Sequence, residues 1–106
     1  MKKTQIPTIL GAIAGDVIGS VYEHKNLKST HFDLYNSSCI FTDDTILTIA
    51  VADTLLRQKD FAKTIWKYGN EYPDYGYGGN FRNWLESEDL LPYGSYGNGS
   101  AMRVSP

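Results

Sequence analysis

Phe41-Thr42-Asp43-Asp44-Thr45 runs directly into Ile46-Leu47-Thr48-Ile49-Ala50-Val51-Ala52-Asp53-Thr54-Leu55-Leu56. This stretch decides the fold. Its Ile, Leu, Val and Ala residues leave little polar face, so residues 43–58 read as a helix that is central and buried. The start of that helix carries two adjacent carboxylates between two Thr hydroxyls. Two readings meet there. Thr42 suits an N-cap, and Asp43 and Asp44 favour the positive end of the helix dipole. The same oxygens are donors of the kind that hard divalent cations such as Mg²⁺ prefer. A helix that opens from the core holds ligands rigidly, which favours the second reading.

On the N-terminal side, residues 5–20 read as a first helix with Pro7 in its first turn. Leu10, Ala14, Val17, Ile18 and Val21 recur at helical spacing and form its expected buried side. Gly11, Gly15 and Gly19 make a second stripe, which costs about 1 kcal/mol per residue relative to Ala. Close approach of another backbone is the expected compensation. Asp16 and Glu23 lie seven apart and share a face if the helix continues that far. Asp16 reads as a buried capping or bridging acid. Glu23 falls near the helix end, where the dipole disfavours a carboxylate, and is the stronger functional candidate. Residues 24–41 are a polar connection long enough to serve as a lid. Its histidines, His24 and His31, lack partners at zinc-site spacing and read as solvated. Cys39 reads as a small buried residue beside Ile40 and Phe41.

On the C-terminal side, residues 60–72 suggest a third helix, capped by Asp60, with Phe61, Ile65, Trp66 and Tyr68 on its packed side. Pro73 stops it. Residues 73–80 form a Gly/Tyr loop whose tyrosines read as cover for the core ahead of a stacking platform. Residues 80–87 make a short helix with Phe81, Trp84 and Leu85 inward. Gly94-Ser95-Tyr96-Gly97-Asn98-Gly99 then precedes Ser100-Ala101-Met102-Arg103-Val104, the start of another helix. Such a loop is either an anion cradle of backbone amides or a plain Gly-rich turn. No segment alternates with period two for more than a few residues, so the fold class is all-α.

The totals set bounds. A chain of 106 residues with 42% hydrophobic content is one domain or part of one. Its net charge of -2 gives no general pull toward nucleic acid or an anionic membrane. A single cysteine excludes an intrachain disulfide and fits a cytoplasmic protein. The opening Met1-Lys2-Lys3 and the apolar run from Ile6 resemble a signal peptide superficially. Asp16 interrupts that run, no convincing cleavage site follows, and the uncharged stretch is too short to span a bilayer.

Four stretches together resemble the ADP-ribosylglycohydrolase family, which includes the dinitrogenase-reductase-activating glycohydrolases. They are residues 11–23 (GAIAGDVIGSVYE), 41–45 (FTDDT), 75–79 (YGYGG) with Phe81 and Trp84, and 94–103 (GSYGNGSAMR). The resemblance implies an orthogonal all-α bundle with a binuclear Mg²⁺ centre, sometimes Mn²⁺. It implies hydrolysis of the N- or O-glycosidic bond at C1″ of ADP-ribose carried by a protein or a small acceptor. It implies Thr42, Asp43 and Asp44 as metal ligands, with Glu23 beside them at the catalytic centre. Gly94, Ser95, Tyr96, Gly97, Asn98 and Gly99 become the loop that holds the diphosphate and its ribose. The cap and ligand readings of residues 42–44 then combine, since the helix start aims the carboxylates.

The resemblance also implies a second acidic motif, of Asp-x-Asp-Thr type, near the end of a much longer chain. Residues 1–106 therefore read as the N-terminal part of a single domain. Asp53, Asp60, Glu71, Asp74, Glu86, Glu88 and Asp89 do not recreate that motif and read as surface acids. A non-catalytic ADP-ribose-binding module, or one half of a split enzyme completed by another segment, stands beside the hydrolase reading. The lone chain is expected to expose core surface and to self-associate or stay partly molten.

Overall fold

The computed structural model describes residues 8–106. The expected helical residues 5–7, with Pro7, and the Met1-Lys2-Lys3 start lie outside them. Five α-helices follow in order: α1 (Thr8–Gly19), α2 (Asp43–Arg57), α3 (Phe61–Glu71), α4 (Gly79–Glu86) and α5 (Gly99–Met102). A 3-10 turn over Ser20–Tyr22 extends α1. No strand occurs among the described residues.

Local chemistry sets the helix ends. The Thr42 hydroxyl accepts from the Asp44 amide at 3.3 Å and caps α2. Gln58 ends α2 in the left-handed region at φ 53°, and its amide donates to the Thr54 carbonyl. Asp60 caps α3 as its sequence position predicts, accepting from the Lys63 amide at 2.9 Å.

Helix α2 is central, packing on α1 along one side and on α3 along the other. Ile46, Leu47 and Ala50 form the core with Tyr77 and Leu85, and Ile65, Tyr68, Tyr75, Phe81 and Trp84 pack around them. Full burial of a side chain such as Leu47 contributes about 1.5–3 kcal/mol. The tyrosines of the 73–80 loop do cover the core. Trp66 ties α3 to α4 by donating its indole N–H to the Leu85 carbonyl at 3.0 Å.

Several packing expectations change. Burial of α2 is confined largely to its first half, and Leu55 and Leu56 are 50% and 84% exposed. The buried face instead includes Thr45, Thr48 and Thr54. Thr48 and Thr54 bury at low cost because their hydroxyls donate to the Asp44 and Ala50 carbonyls. Phe61 and Trp66 are only half-buried on α3, at 49% and 37% exposed, and its closest-packed positions are Thr64 and Gly69. Leu10 is exposed on α1, and Cys39 is half-buried. Among the described residues the Gly11, Gly15 and Gly19 stripe meets no backbone: none lies within 4 Å of a Cβ built at any of them. Asp53 is no simple surface acid. It pairs with Arg57 at 3.1 Å and Lys59 at 3.2 Å, and accepts from the Tyr68 hydroxyl at 3.1 Å.

The described residues form a flat body of 45 × 41 × 23 Å. Its radius of gyration is 15.4 Å, against about 13 Å for a compact domain of this length. Its accessible surface is 8206 Å², where a folded monomer of this mass exposes about 6000 Å². Much of the excess is apolar, including Leu34, Ile40, Leu56, Leu91 and Val104.

Candidate functional site

The start of α2 is held by a carboxylate from α1. Asp16 accepts from the Thr42 amide at 2.7 Å, the Thr42 hydroxyl at 2.6 Å, the Thr45 hydroxyl at 2.6 Å and the Thr45 amide at 3.3 Å. Both threonines are buried. Asp16 is thus the bridging acid that its position suggests, and it satisfies donors that a helix start leaves open. A second anchor comes from the Gly/Tyr loop, where the Tyr75 carbonyl accepts from the Asp43 amide at 2.8 Å. Gly76 follows with φ +90°, a conformation that a side chain resists, and so lets the loop turn away beneath Asp43.

These anchors turn Asp43 and Asp44 outward. Both line a cavity of about 690 Å³ together with Glu23, Phe81, Tyr93, residues 95–100 and Arg103. The fold therefore brings together Glu23, Asp43, Asp44, Ser95, Tyr96, Gly97, Asn98 and Gly99. Two expected site residues stand apart. Thr42 is buried behind the wall, its hydroxyl given to Asp16. Gly94 lies to one side, its carbonyl accepting from the Asn80 amide group at 3.4 Å. Within the loop, the Ser95 hydroxyl accepts from the Gly97 amide at 3.0 Å, so that amide is already engaged. A neighbouring cavity of about 530 Å³ shares Glu23, Asp44 and Asn98 and reaches Gly15, Asp16 and Gly19.

The electrostatics follow from this crowding. Burial, then the charge of Asp44, pushes the Asp43 carboxyl up to about 6, against the opposing pull of Arg103 and the Thr42 hydrogen bond. Asp44 is raised too, by burial first and the Asp16 charge next. Tyr77 is pushed up to about 12 by burial and the nearby Asp43 charge, and its buried hydroxyl has no hydrogen-bond partner among the described residues. A pair of carboxylates that resist ionising together is suited to taking up a proton or to facing a cation.

Sequence reasoning missed Arg103 as a member of this site. Its Nη2 lies 3.8 Å from the Asp43 carboxylate, its side chain is 19% exposed, and its guanidinium lies 5.8 Å from the Phe81 ring centre. One signal was available: Arg103 is the one basic residue after Arg82, in a segment rich in Gly and Ser. His24 and His31 are exposed in the 24–41 connection.

Comparison with known proteins bears on this arrangement. The model of the ADP-ribosylglycohydrolase family matches residues 6–106. "ADP-ribosylhydrolase ARH3" of Xenopus tropicalis is 32% identical over 127 residues, covering 92% of this chain and 36% of the relative. "ADP-ribosylhydrolase ARH3" of Mus musculus is 30% identical over 132 residues with the same coverage. The chain thus spans little more than a third of the length of the curated relatives it matches. No solved structure matches it. The match across nearly the whole chain, together with the all-helical fold, shows that this chain belongs to the ADP-ribosylglycohydrolase family.

Proposed function

We propose that this chain forms one side of a metal-dependent hydrolase site that cleaves the N- or O-glycosidic bond at C1″ of ADP-ribose on a protein or small acceptor. The observation that carries the reading is the shared cavity: Glu23, Asp43 and Asp44 face residues 95–99 across about 690 Å³. That volume suits a ligand the size of ADP-ribose. The relatives named ADP-ribosylhydrolase support an ADP-ribosylated substrate.

The residues fit a divalent cation on one side. Asp43 and Asp44 are hard oxygen donors, both raised first by burial and then by a neighbouring carboxylate. Among the described residues no three acid, His or Cys side chains converge to hold a metal ion. Asp43 and Asp44 would therefore hold Mg²⁺ or Mn²⁺ with ligands from a further segment or a second polypeptide. Thr42 would contribute by aiming the pair, since its hydroxyl is committed to Asp16.

A bound cation supplies polarisation of water and a template for sugar hydroxyls. The chain supplies the rest. Departure of the acceptor from C1″ builds positive charge on the ribose, which the carboxylates of Glu23, Asp43 and Asp44 stabilise. Asp43, on the cavity wall, would take a proton from the attacking water and pass it to the departing acceptor. The 95–99 loop orients the diphosphate side of the ligand through backbone amides and the Tyr96 and Asn98 side chains. Tyr96 projects fully into solvent and is free to fold over a ligand. The 24–41 connection, which donates the Ile40 amide to Ser20 at 3.1 Å, would act as a lid on the Glu23 side. A cytoplasmic location accords with a lone cysteine.

Calorimetric titration of the purified chain with ADP-ribose, with and without Mg²⁺, tests the reading. Binding strengthened by Mg²⁺ and lost in the Asp43→Ala, Asp44→Ala double variant is expected. No binding in either condition would refute the substrate assignment. Turnover by the 106 residues alone is expected to be poor. Robust Mg²⁺-dependent hydrolysis would show that these residues need no outside ligands.

A further inference from the structure

The cavity wall carries three acids, Glu23, Asp43 and Asp44, and a single basic residue, Arg103. Three elements build the place where its guanidinium sits. Phe81 of α4 lies beneath it, with its ring centre 5.8 Å away. Asp43 of α2 faces it at 3.8 Å. Gly99 of α5 flanks it so closely that a Cβ there would lie 2.7 Å from Nη2 and 3.2 Å from Cζ. The Met102 carbonyl lies 3.5 Å from the Thr48 hydroxyl, which seats this segment against α2. Yet the ion pair is longer than the usual hydrogen-bond range, and Nε is buried with no partner among the described residues. Arg103 is held in position as a charge, without the hydrogen bonds that usually justify burying one.

We propose that the Arg103 guanidinium is a built-in counter-cation for Asp43, which competes with a divalent cation for that carboxylate. This rests on the reading of Asp43 and Asp44 as cation ligands. Arg103 is a positioning residue: it holds Asp43 in a paired, ordered state when no metal is bound, and it weakens metal binding by charge repulsion. The acid pair then accepts a cation firmly only when further ligands outweigh Arg103. The competition sets a threshold for metal loading.

The test is Mn²⁺ binding to the full chain, read as loss of the free-ion electron paramagnetic resonance signal. Arg103→Met keeps the bulk against Phe81 and removes the charge. It is expected to bind Mn²⁺ about tenfold more tightly than the unaltered chain, the scale of a screened unit charge beside a divalent ion. Gly99→Ala keeps the arginine but pushes its guanidinium aside, and should shift affinity in the same direction. Arg103→Lys should stay near the unaltered chain. A purely structural role predicts the opposite sign, because a loosened site binds metal less well. If the unaltered chain binds Mn²⁺ while Arg103→Met and Gly99→Ala bind no more tightly, with helical content unchanged, the counter-cation assignment is wrong. Two carboxylates without outside ligands are expected to bind only weakly, so the titration runs to millimolar Mn²⁺; if neither the unaltered chain nor Arg103→Met binds even there, the ligand reading of Asp43 and Asp44 fails and this proposal falls with it.

Discussion

Replacing Asp16 with Ala removes the carboxylate on which the start of α2 depends. Four donors lose their acceptor: the amides and hydroxyls of Thr42 and Thr45. Hydrogen bonds to a charged group contribute about 1.5–3 kcal/mol each, so simple addition gives roughly 6–12 kcal/mol. That sum approaches the whole stability of a small domain, about 5–15 kcal/mol, and overcounts. Asp16 itself lines the 530 Å³ cavity, so water can enter and satisfy part of what is lost. A loss of about 3–4 kcal/mol is the reasoned expectation. Asp16→Asn keeps one acceptor oxygen and should cost only about 1–2 kcal/mol. Urea midpoints followed by circular dichroism give the ordering of the three proteins. Amide hydrogen exchange gives the location: protection of Thr42 and Thr45 should fall at least about a hundredfold in the alanine variant. A stability change below about 0.5 kcal/mol, with the Thr45 amide as protected as before, would refute the bridging role.

Tyr77→Phe removes a buried hydroxyl that has no partner. It should leave stability unchanged or raise it by about 1 kcal/mol, and a clear loss in a urea melt would count against the orphan assignment. Gly76→Ala forces a side chain into φ +90° and should cost about 1–3 kcal/mol. Unaltered melting of that variant would show that the loop relaxes freely. The Asp43 carboxyl, raised from 3.8 to about 6 by burial and Asp44, holds its proton in the folded chain where the unfolded chain has released it. Its contribution is fully present below 3.8 and declines as pH rises to about 6. After screening, the decline should be on the order of 1–2 kcal/mol. Urea midpoints across that window should fall more in the unaltered chain than in Asp43→Asn. Equal slopes would remove Asp43 as the cause.

Much of this arrangement can be read from residue types alone. Thr42 and Asp60 are caps because short oxygen-bearing side chains precede helical runs, a local signal that survives folding. The apolar spacing of Ile46, Leu47 and Ala50 likewise marks a core-facing stripe. What escaped reading depends on contacts distant in sequence. Nothing near Leu55 and Leu56 announces that no element covers them. An apolar count also passes over Thr45, Thr48 and Thr54, which bury by giving their hydroxyls to Asp16 or to backbone carbonyls. Asp53 looks like a surface acid until α3 brings Tyr68 against it. The gathering of Glu23, Asp43, Asp44 and the 95–99 loop follows the motifs. Arg103 joins them through the spatial approach of α5 to α2, and its one sequence signal is its place as the single basic residue after Arg82.

Helix α2 is fastened by an acid at each end, Asp16 from α1 at its start and its own Asp53 to α3 near its finish. The result is mechanical. A rod pinned at both ends cannot slide or roll against one neighbour without disturbing the other. A push on the exposed glycine face of α1 moves Asp16, Asp16 carries Thr42, and Thr42 carries the two carboxylates as one piece. Whatever rests against Gly15 and Gly19 shares the cavity that Asp16 and Asp44 line, and thereby acquires a lever on the aim of both carboxylates through Asp16.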